Sequence, residues 1–168
     1  MLGGIVLNTF KKYTTKISEI LNEIAGWGIV ATMLLVVTNV ILRRVFNKPI
    51  LGAYEYTGFF TAIIVSFGLA YCALQNGHIA IGFILEKYNI KIQKYIHLLS
   101  NVVTLGFMIV FSWQIFRYAT RIMHTGQVSP TTQTPFYIVV YVTGIGFLVL
   151  SLVLVIKTLE AFKEVYGR

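Results

Sequence analysis

Two side chains in this 168-residue sequence stand where acid–base or metal chemistry would be conceivable, Glu55 and His78. They bracket the stretch from Tyr56 to Gly77, which contains no Asp, Glu, Lys, Arg or His. If this stretch is one continuous helix, the 23 residues from Glu55 to His78 separate the two side chains by about 35 Å. A shared acid–base or metal site is therefore excluded by distance, and each side chain needs a local explanation.

His78 follows an Asn-Gly pair that breaks the apolar stretch. A proton relay inside a membrane requires neighbouring ionisable groups, and none lies close to His78 in the sequence. The alternative is a histidine at a helix end that is bonded to backbone or to a partner protein. The sequence favours this structural role over the relay.

The helix that carries these residues is one of four apolar runs in the chain. Hydrophobic residues make up 57% of the sequence, and the mean hydropathy is +0.76. A run of about 20 apolar residues is long enough to cross the roughly 30 Å hydrocarbon core of a bilayer. The runs cover about residues 24–42, 56–74, 96–116 and 136–156. The sequence therefore predicts an all-α integral membrane protein with four transmembrane helices, and a single membrane domain over residues 1–168.

Two amphipathic segments flank these spans. Before the first span, apolar residues three or four apart alternate with lysine and glutamate, which predicts an N-terminal amphipathic helix in the membrane interface. A cleavable signal peptide is the rival interpretation, but the apolar run is too long and no small-residue cleavage pattern follows it. The connection between spans 2 and 3 is unusually apolar for a loop, which predicts a short interfacial helix there.

The net charge of +8 indicates topology rather than a nucleic-acid partner. Its basic residues are spread over the flanks of every span and form no patch interleaved with aromatic residues, so nucleic-acid binding is not expected. Nine lysines and arginines lie in the two terminal segments and the middle connection, against five in the other two connections. Because basic residues concentrate on the cytoplasmic side, both termini are predicted to be cytoplasmic.

Small residues repeat every four positions on one face of the second span: Gly58, Ala62, Ser66 and Ala70. No hydrophobic force drives helices together in lipid, so small residues that allow close approach favour helix association. This small-residue face can pack within the chain or be held for a partner protein. Packing within the chain is the favoured alternative.

The turn before the second span returns Glu55 to the membrane face at which Arg43 ends the first span. Pro49 cannot continue a helix, and Gly52 supplies turn chemistry. An ion pair between Arg43 and Glu55 would fix the register of the two helices. Two separately solvated flank charges are the equally weighted alternative.

The spans lack the groups that most membrane chemistry requires. No Asp, Glu, Lys, Arg or His lies in the middle of any span, and the chain has no Asp, no HExxH, no CxxC and no phosphate-binding glycine loop. We therefore expect no enzyme activity, no catalytic residue, no cofactor and no metal ligand. A helical scaffold that works with another protein is the expected class.

An ordered set of residues carries a resemblance to a known family. The set is Asn39, Arg43, Phe46-Asn47, Pro49-Ile50, Gly52, Glu55, Gly77-His78-Ile79, and the loop from Gly126 to Pro135. Over roughly residues 24–156 the chain resembles the small four-helix (Q-type) membrane subunit of tripartite ATP-independent periplasmic (TRAP) transporters. It departs from the family at Gly82, near which members often carry an acidic residue.

The resemblance implies a partnership in the bacterial inner membrane. A large polytopic subunit would carry an organic acid with sodium, a periplasmic binding protein would deliver the acid, and this lipid-embedded chain would brace the large subunit. It also implies that Arg43, Glu55 and His78 matter structurally or at an interface, and that the small-residue face is a packing surface. The alternative function is a self-associating four-helix multidrug exporter, which needs an embedded carboxylate that only Glu55 could supply.

Overall fold

Four long helices make up the part of the chain that the structure describes. The computed structural model describes residues 2–75 and 89–166. Its helices are α1 (Leu2–Phe46), α2 (Ala53–Leu74), α3 (Ile90–Thr125) and α4 (Phe136–Tyr166). Each helix contains a stretch long and apolar enough to cross a membrane. For the described residues, the prediction of a helical fold with four helices able to span a membrane is thereby confirmed.

The turns between these helices contain residues in the left-handed backbone conformation. Asn47 follows α1 with φ 51°, Gly52 precedes α2 with φ 76°, and Gly126 follows α3 with φ 63°. Asparagine and glycine tolerate this backbone region better than other residues do. The turns at Gly52 and Gly126 lie at the same end of the bundle, which we call the loop end; the opposite end is the far end.

The helices form two hairpins that meet through α4. Helix α1 packs with α2, α3 packs with α4, and the hairpins join where α2 and α1 contact α4. Asn39 fixes the first hairpin because its side-chain oxygen accepts a 2.8 Å hydrogen bond from the Ile50 amide in the turn. The second hairpin has a 3.0 Å contact between the hydroxyls of Thr120 and Tyr141.

The buried core lies toward the far end, between α2 and α4. Its members are Ala70, Ala73, Val149, Leu150, Val153 and Leu154, and Leu21 of α1 packs against them. Alanine on α2 and branched side chains on α4 fill this contact. The far end is therefore the tightly packed part of the bundle.

Helix α1 is longer than the sequence predicted. Its 45 residues form one helix of about 67 Å, more than twice the roughly 30 Å hydrocarbon core. It has no break near residue 24, where the predicted amphipathic helix was to give way to the first span. Instead, Lys11 Nζ lies 2.6 Å from Glu160 Oε1, which ties this segment to α4. Its placement in the membrane interface stays a prediction.

The predicted interfacial helix between spans 2 and 3 falls mostly on residues 76–88, which lie outside the described residues, as does His78. From Ile90 onward the chain is already part of α3. This interfacial helix and the orientation of the termini stay predictions.

Candidate functional site

Glu55, in the first turn of α2, binds the loop that joins α3 and α4. Its Oε1 accepts a 2.9 Å hydrogen bond from the Thr131 amide. Its Oε2 accepts one of 3.2 Å from the Thr132 amide and one of 2.9 Å from the Thr132 hydroxyl. Charge-assisted bonds of this kind are stronger than neutral ones. We call Glu55, Thr131 and Thr132 the Glu55 latch, because they tie the two hairpins together at the loop end.

The loop has its own hydrogen bonds, so the latch holds a preformed turn. The Ser129 amide donates to the Thr134 carbonyl at 2.9 Å, and the Gln133 amide donates to the Ser129 carbonyl at 3.0 Å. Thr132 Oγ1 also lies 2.9 Å from Thr134 Oγ1 and 3.2 Å from Ser129 Oγ. Ser129 is fully buried. A carboxylate on a distant helix thus completes a compact polar loop.

Gly52 lets the two turns touch. A Cβ built at Gly52 would lie 2.0 Å from Thr132 Cγ2, and the φ of 76° is one that other residues rarely adopt. Any side chain here would push the loop away from Glu55. Gly52 therefore supports the latch in two ways: it has no side chain that would clash with Thr132, and it readily adopts the left-handed backbone conformation.

Arg43 does not pair with Glu55. The described residues contain no ion pair between them, and the Glu55 carboxylate is taken up by the loop. Arg43 and Arg44 are both exposed in the last turn of α1, where they line a shallow cavity of about 480 Å³ with Val40 and Asn47. The sequence left open an ion pair between Arg43 and Glu55 or two separate charges. The structure fits the two separate charges.

The far half of the small-residue face is closed by α4. Ser66 and Ala70 are fully buried. A Cβ built at Gly146 of α4 would lie 2.7 Å from Ser66 Oγ and 2.9 Å from Phe67 Cδ1, so the two backbones approach as closely as glycine allows. We call this contact the closed seam. It shows packing within the chain for Ser66 and Ala70.

The loop-end half of the same face is open. Gly58 is exposed, and a Cβ added there would meet nothing within 4 Å. Gly58 and the half-buried Ala62 line a groove of about 980 Å³. Its other walls include Ile115 of α3 and Val139, Val140 and Thr143 of α4. We call it the open groove; it lies directly below the Glu55 latch and is mostly apolar.

Only some of the site residues predicted from the sequence lie together in the structure. Glu55, Gly58 and Ala62 share the open groove, whereas Arg43 lines a separate cavity on α1. Thr131 and Thr132 were missed, because backbone amides leave no signature in the sequence. Among the described residues no group of three His, Cys, Asp or Glu side chains is placed to hold a metal ion. The site offers hydrogen bonding and packing.

One comparison with known proteins gives a match. The family model described as tripartite ATP-independent periplasmic transporters, DctQ component, matches residues 32–164. This range takes in the Glu55 latch, the closed seam and the open groove. No curated protein and no solved structure matches the chain.

Proposed function

The chain belongs to the DctQ component family of tripartite ATP-independent periplasmic transporters, and on this premise we propose that it braces the large transport subunit in the membrane. It is thus a small subunit of a TRAP transporter. The DctQ family consists of transporter components and not of enzymes. The observation that carries the bracing role is the open groove. It is an apolar recess of about 980 Å³ in a membrane helix bundle, with small residues in its wall.

The open groove fits a helix of the large subunit better than it fits a helix of this chain. Its small wall residues, Gly58 and Ala62, allow a second backbone to approach closely, which is what drives helix association in lipid. The four described helices already have their neighbours, and none of them fills the groove. The Glu55 latch closes one end of the recess and holds α2 and α4 in fixed register beside it.

Transport itself would then reside in the other subunits. A carrier that couples to ions needs polar or ionisable positions near the middle of the membrane. The spans of this chain carry no Asp, Glu, Lys, Arg or His there, and Glu55, which lines the open groove, accepts three hydrogen bonds from the loop. We therefore propose import of organic acids by the large subunit, driven by sodium and supplied by a periplasmic binding protein.

The same proposal places the chain in the bacterial inner membrane with both termini in the cytoplasm. The excess of basic residues in the terminal segments and in the middle connection supports this orientation. The loop end, with Thr131 and Thr132, would then face the periplasm. Labelling of Gln127→Cys by an impermeant reagent added to intact cells, in a Cys72→Ala background, tests it; protection of the introduced thiol until the cells are lysed contradicts it.

Purification of the tagged chain from its native membrane in mild detergent tests the bracing role. We expect one large polytopic protein to co-purify in equal amount, and organic-acid uptake in liposomes only when that protein and a binding protein are added. Recovery of the chain as a homodimer, or uptake by the chain alone, would overturn the proposal and favour the exporter alternative.

A further inference from the structure

One face of α1 carries an apolar stripe that ends in two arginines. Ile29, Met33, Val36, Val40, Arg43 and Asn47 follow one another at steps of three or four residues, so they lie along a single face of the helix. Two shallow cavities lie end to end on this face. One of about 450 Å³ lies between α1 and α2, and one of about 480 Å³ lies beside Arg43 and Arg44.

The arginine end of the stripe is cationic, and no described carboxylate neutralises it. Neither Arg43 nor Arg44 contacts a carboxylate in residues 2–75 and 89–166. Glu55, the acidic residue closest to them in sequence, is bound by the loop instead. Two adjacent guanidinium groups attract an anion, and arginine donors match the geometry of phosphate oxygens.

The other end of the stripe is apolar and unfilled. Met33 is 58% exposed and Val37 is 49% exposed beside the cavity between α1 and α2. The two threonines that line this cavity, Thr32 and Thr61, donate their hydroxyls to carbonyls of their own helices. They therefore contribute no free polar donor, and the cavity suits a hydrocarbon chain.

The length of the apolar stripe matches the hydrocarbon thickness of one leaflet of a bilayer. Ile29 and Val40 are 11 residues apart, or about 17 Å along the helix, and one leaflet provides about half of the roughly 30 Å hydrocarbon core. Gly28, one residue below the stripe, packs against Ile64 near the middle of α2. The apolar stripe therefore runs from the middle of the membrane to the boundary at which the arginines lie; the apolar cavity follows it from Ile29 to Val37, and the arginine cavity follows from Val40 to Asn47.

We propose that this face of α1 binds one anionic phospholipid, with its phosphate between Arg43 and Arg44 and an acyl chain in the cavity between α1 and α2. The charge of the arginines and the depth of the cavity complement the two ends of such a lipid. We define this surface, Ile29 to Asn47 on the face described above, as the α1 lipid site. It differs from the open groove in having α1 as its main wall, whereas the walls of the open groove come from α2, α3 and α4; the two share Thr61 of α2.

Native mass spectrometry of the full chain, released from nanodiscs of equimolar phosphatidylcholine and phosphatidylglycerol, tests the headgroup contact. For the double variant R43Q/R44Q we expect about 30-fold weaker retention of phosphatidylglycerol, which corresponds to two interactions of ~1 kcal/mol each. The matched control is R117Q/R121Q, which removes the same charge at the loop end of α3, where Arg117 lies over the Trp113 ring. Equal retention by both double variants overturns the proposal.

A second pair of variants tests the acyl chain. Val36→Trp fills the cavity and leaves the arginines in place, so we expect it to displace the lipid. Leu34→Trp introduces the same side chain at an exposed position outside the cavity and should retain the lipid. If R43Q/R44Q instead releases a co-purifying large protein while phosphatidylglycerol retention is unchanged, the arginines bind a protein carboxylate and the lipid proposal is wrong. That result would leave the bracing role of the open groove intact.

Discussion

The two halves of the small-residue face of α2 are packed differently: one is buried against α4 and the other is open. Near the far end, Ser66 and Ala70 are buried in the closed seam, because Gly146 stands opposite them on α4. Near the loop end, Gly58 and Ala62 line the open groove, where α4 presents the branched residues Val139, Val140 and Thr143. Small residues on one helix therefore do not decide whether two helices meet. In this fold the close contact occurs where a glycine of α4 faces the small residues of α2.

The largest expected effect on this contrast comes from added bulk in the closed seam, of which a single methyl group is the smallest example. Gly146→Ala places a Cβ within 3.0 Å of Ser66 and Phe67, so the helices must separate. We expect a loss of about 1–3 kcal/mol in the free energy of unfolding, as is typical of overpacked cores. Thermal unfolding followed by size-exclusion chromatography measures it. Gly58→Ala is the matched control, since the same methyl meets nothing there; equal loss of stability from both variants would refute the contrast.

A larger side chain in the open groove should act on assembly rather than on folding. Ala62→Leu is expected to leave the melting temperature of the chain nearly unchanged, and to weaken association with the large subunit at least about tenfold, or ~1.4 kcal/mol. Ser66→Leu should instead unfold the closed seam, and Ile63→Leu should change neither property. Co-purification yields of the three variants, with melting curves beside them, measure this. Intact assembly with Ala62→Leu would count against the groove as the binding surface.

Weakening the Glu55 latch should loosen one wall of the groove. Glu55→Gln replaces one carboxylate oxygen by an NH2 donor, so in the present geometry either the Thr131 or the Thr132 amide would face a donor instead of an acceptor. We expect hydrogen exchange at those two amides to become several-fold faster, while exchange in the closed seam is unchanged. Glu19→Gln, an exposed glutamate on α1, serves as the control. Unchanged exchange at both amides would show that the loop holds itself without the carboxylate.

The smallest expected effect lies at the far end, where α1 packs. Ser18 is fully buried, and its hydroxyl has no hydrogen-bond partner among the described residues. Ser18→Ala should therefore stabilise the chain by about 1 kcal/mol, since an unsatisfied buried hydroxyl is removed. Ser151→Ala is the comparison, because that hydroxyl donates to the Phe147 carbonyl at 2.9 Å. A loss of stability on Ser18→Ala would indicate a partner for the hydroxyl.

The helices could be predicted from the sequence because the membrane fixes their length and composition. The apolar runs near residues 56–74 and 136–156 correspond closely to α2 and α4. The continuity of α1 could not be predicted in the same way. The change from amphipathic to apolar pattern near residue 24 indicates a change of environment, and a helix can pass through it without a break.

The contacts between helices could not be predicted, because they depend on depth and register. The sequence offered Arg43 as a partner for Glu55, but the carboxylate instead binds amides 76 and 77 residues away. Likewise, the spacing of Gly58, Ala62 and Ser66 marks one face of α2 and does not indicate where α4 touches it. Gly146 permits close packing, as any glycine does, but its depth relative to Ser66 is known only from the fold.

Photo-crosslinking in native membranes tests the central claim most directly, with a photoreactive amino acid placed at Ala62 in one variant and at Ala73 in another. Ala62 lines the open groove and Ala73 is fully buried in the core. We expect an adduct between the Ala62 variant and one large polytopic membrane protein, and no such adduct from the Ala73 variant. An adduct of the Ala62 variant with a second copy of this chain, or the same large protein captured from both positions, would contradict it.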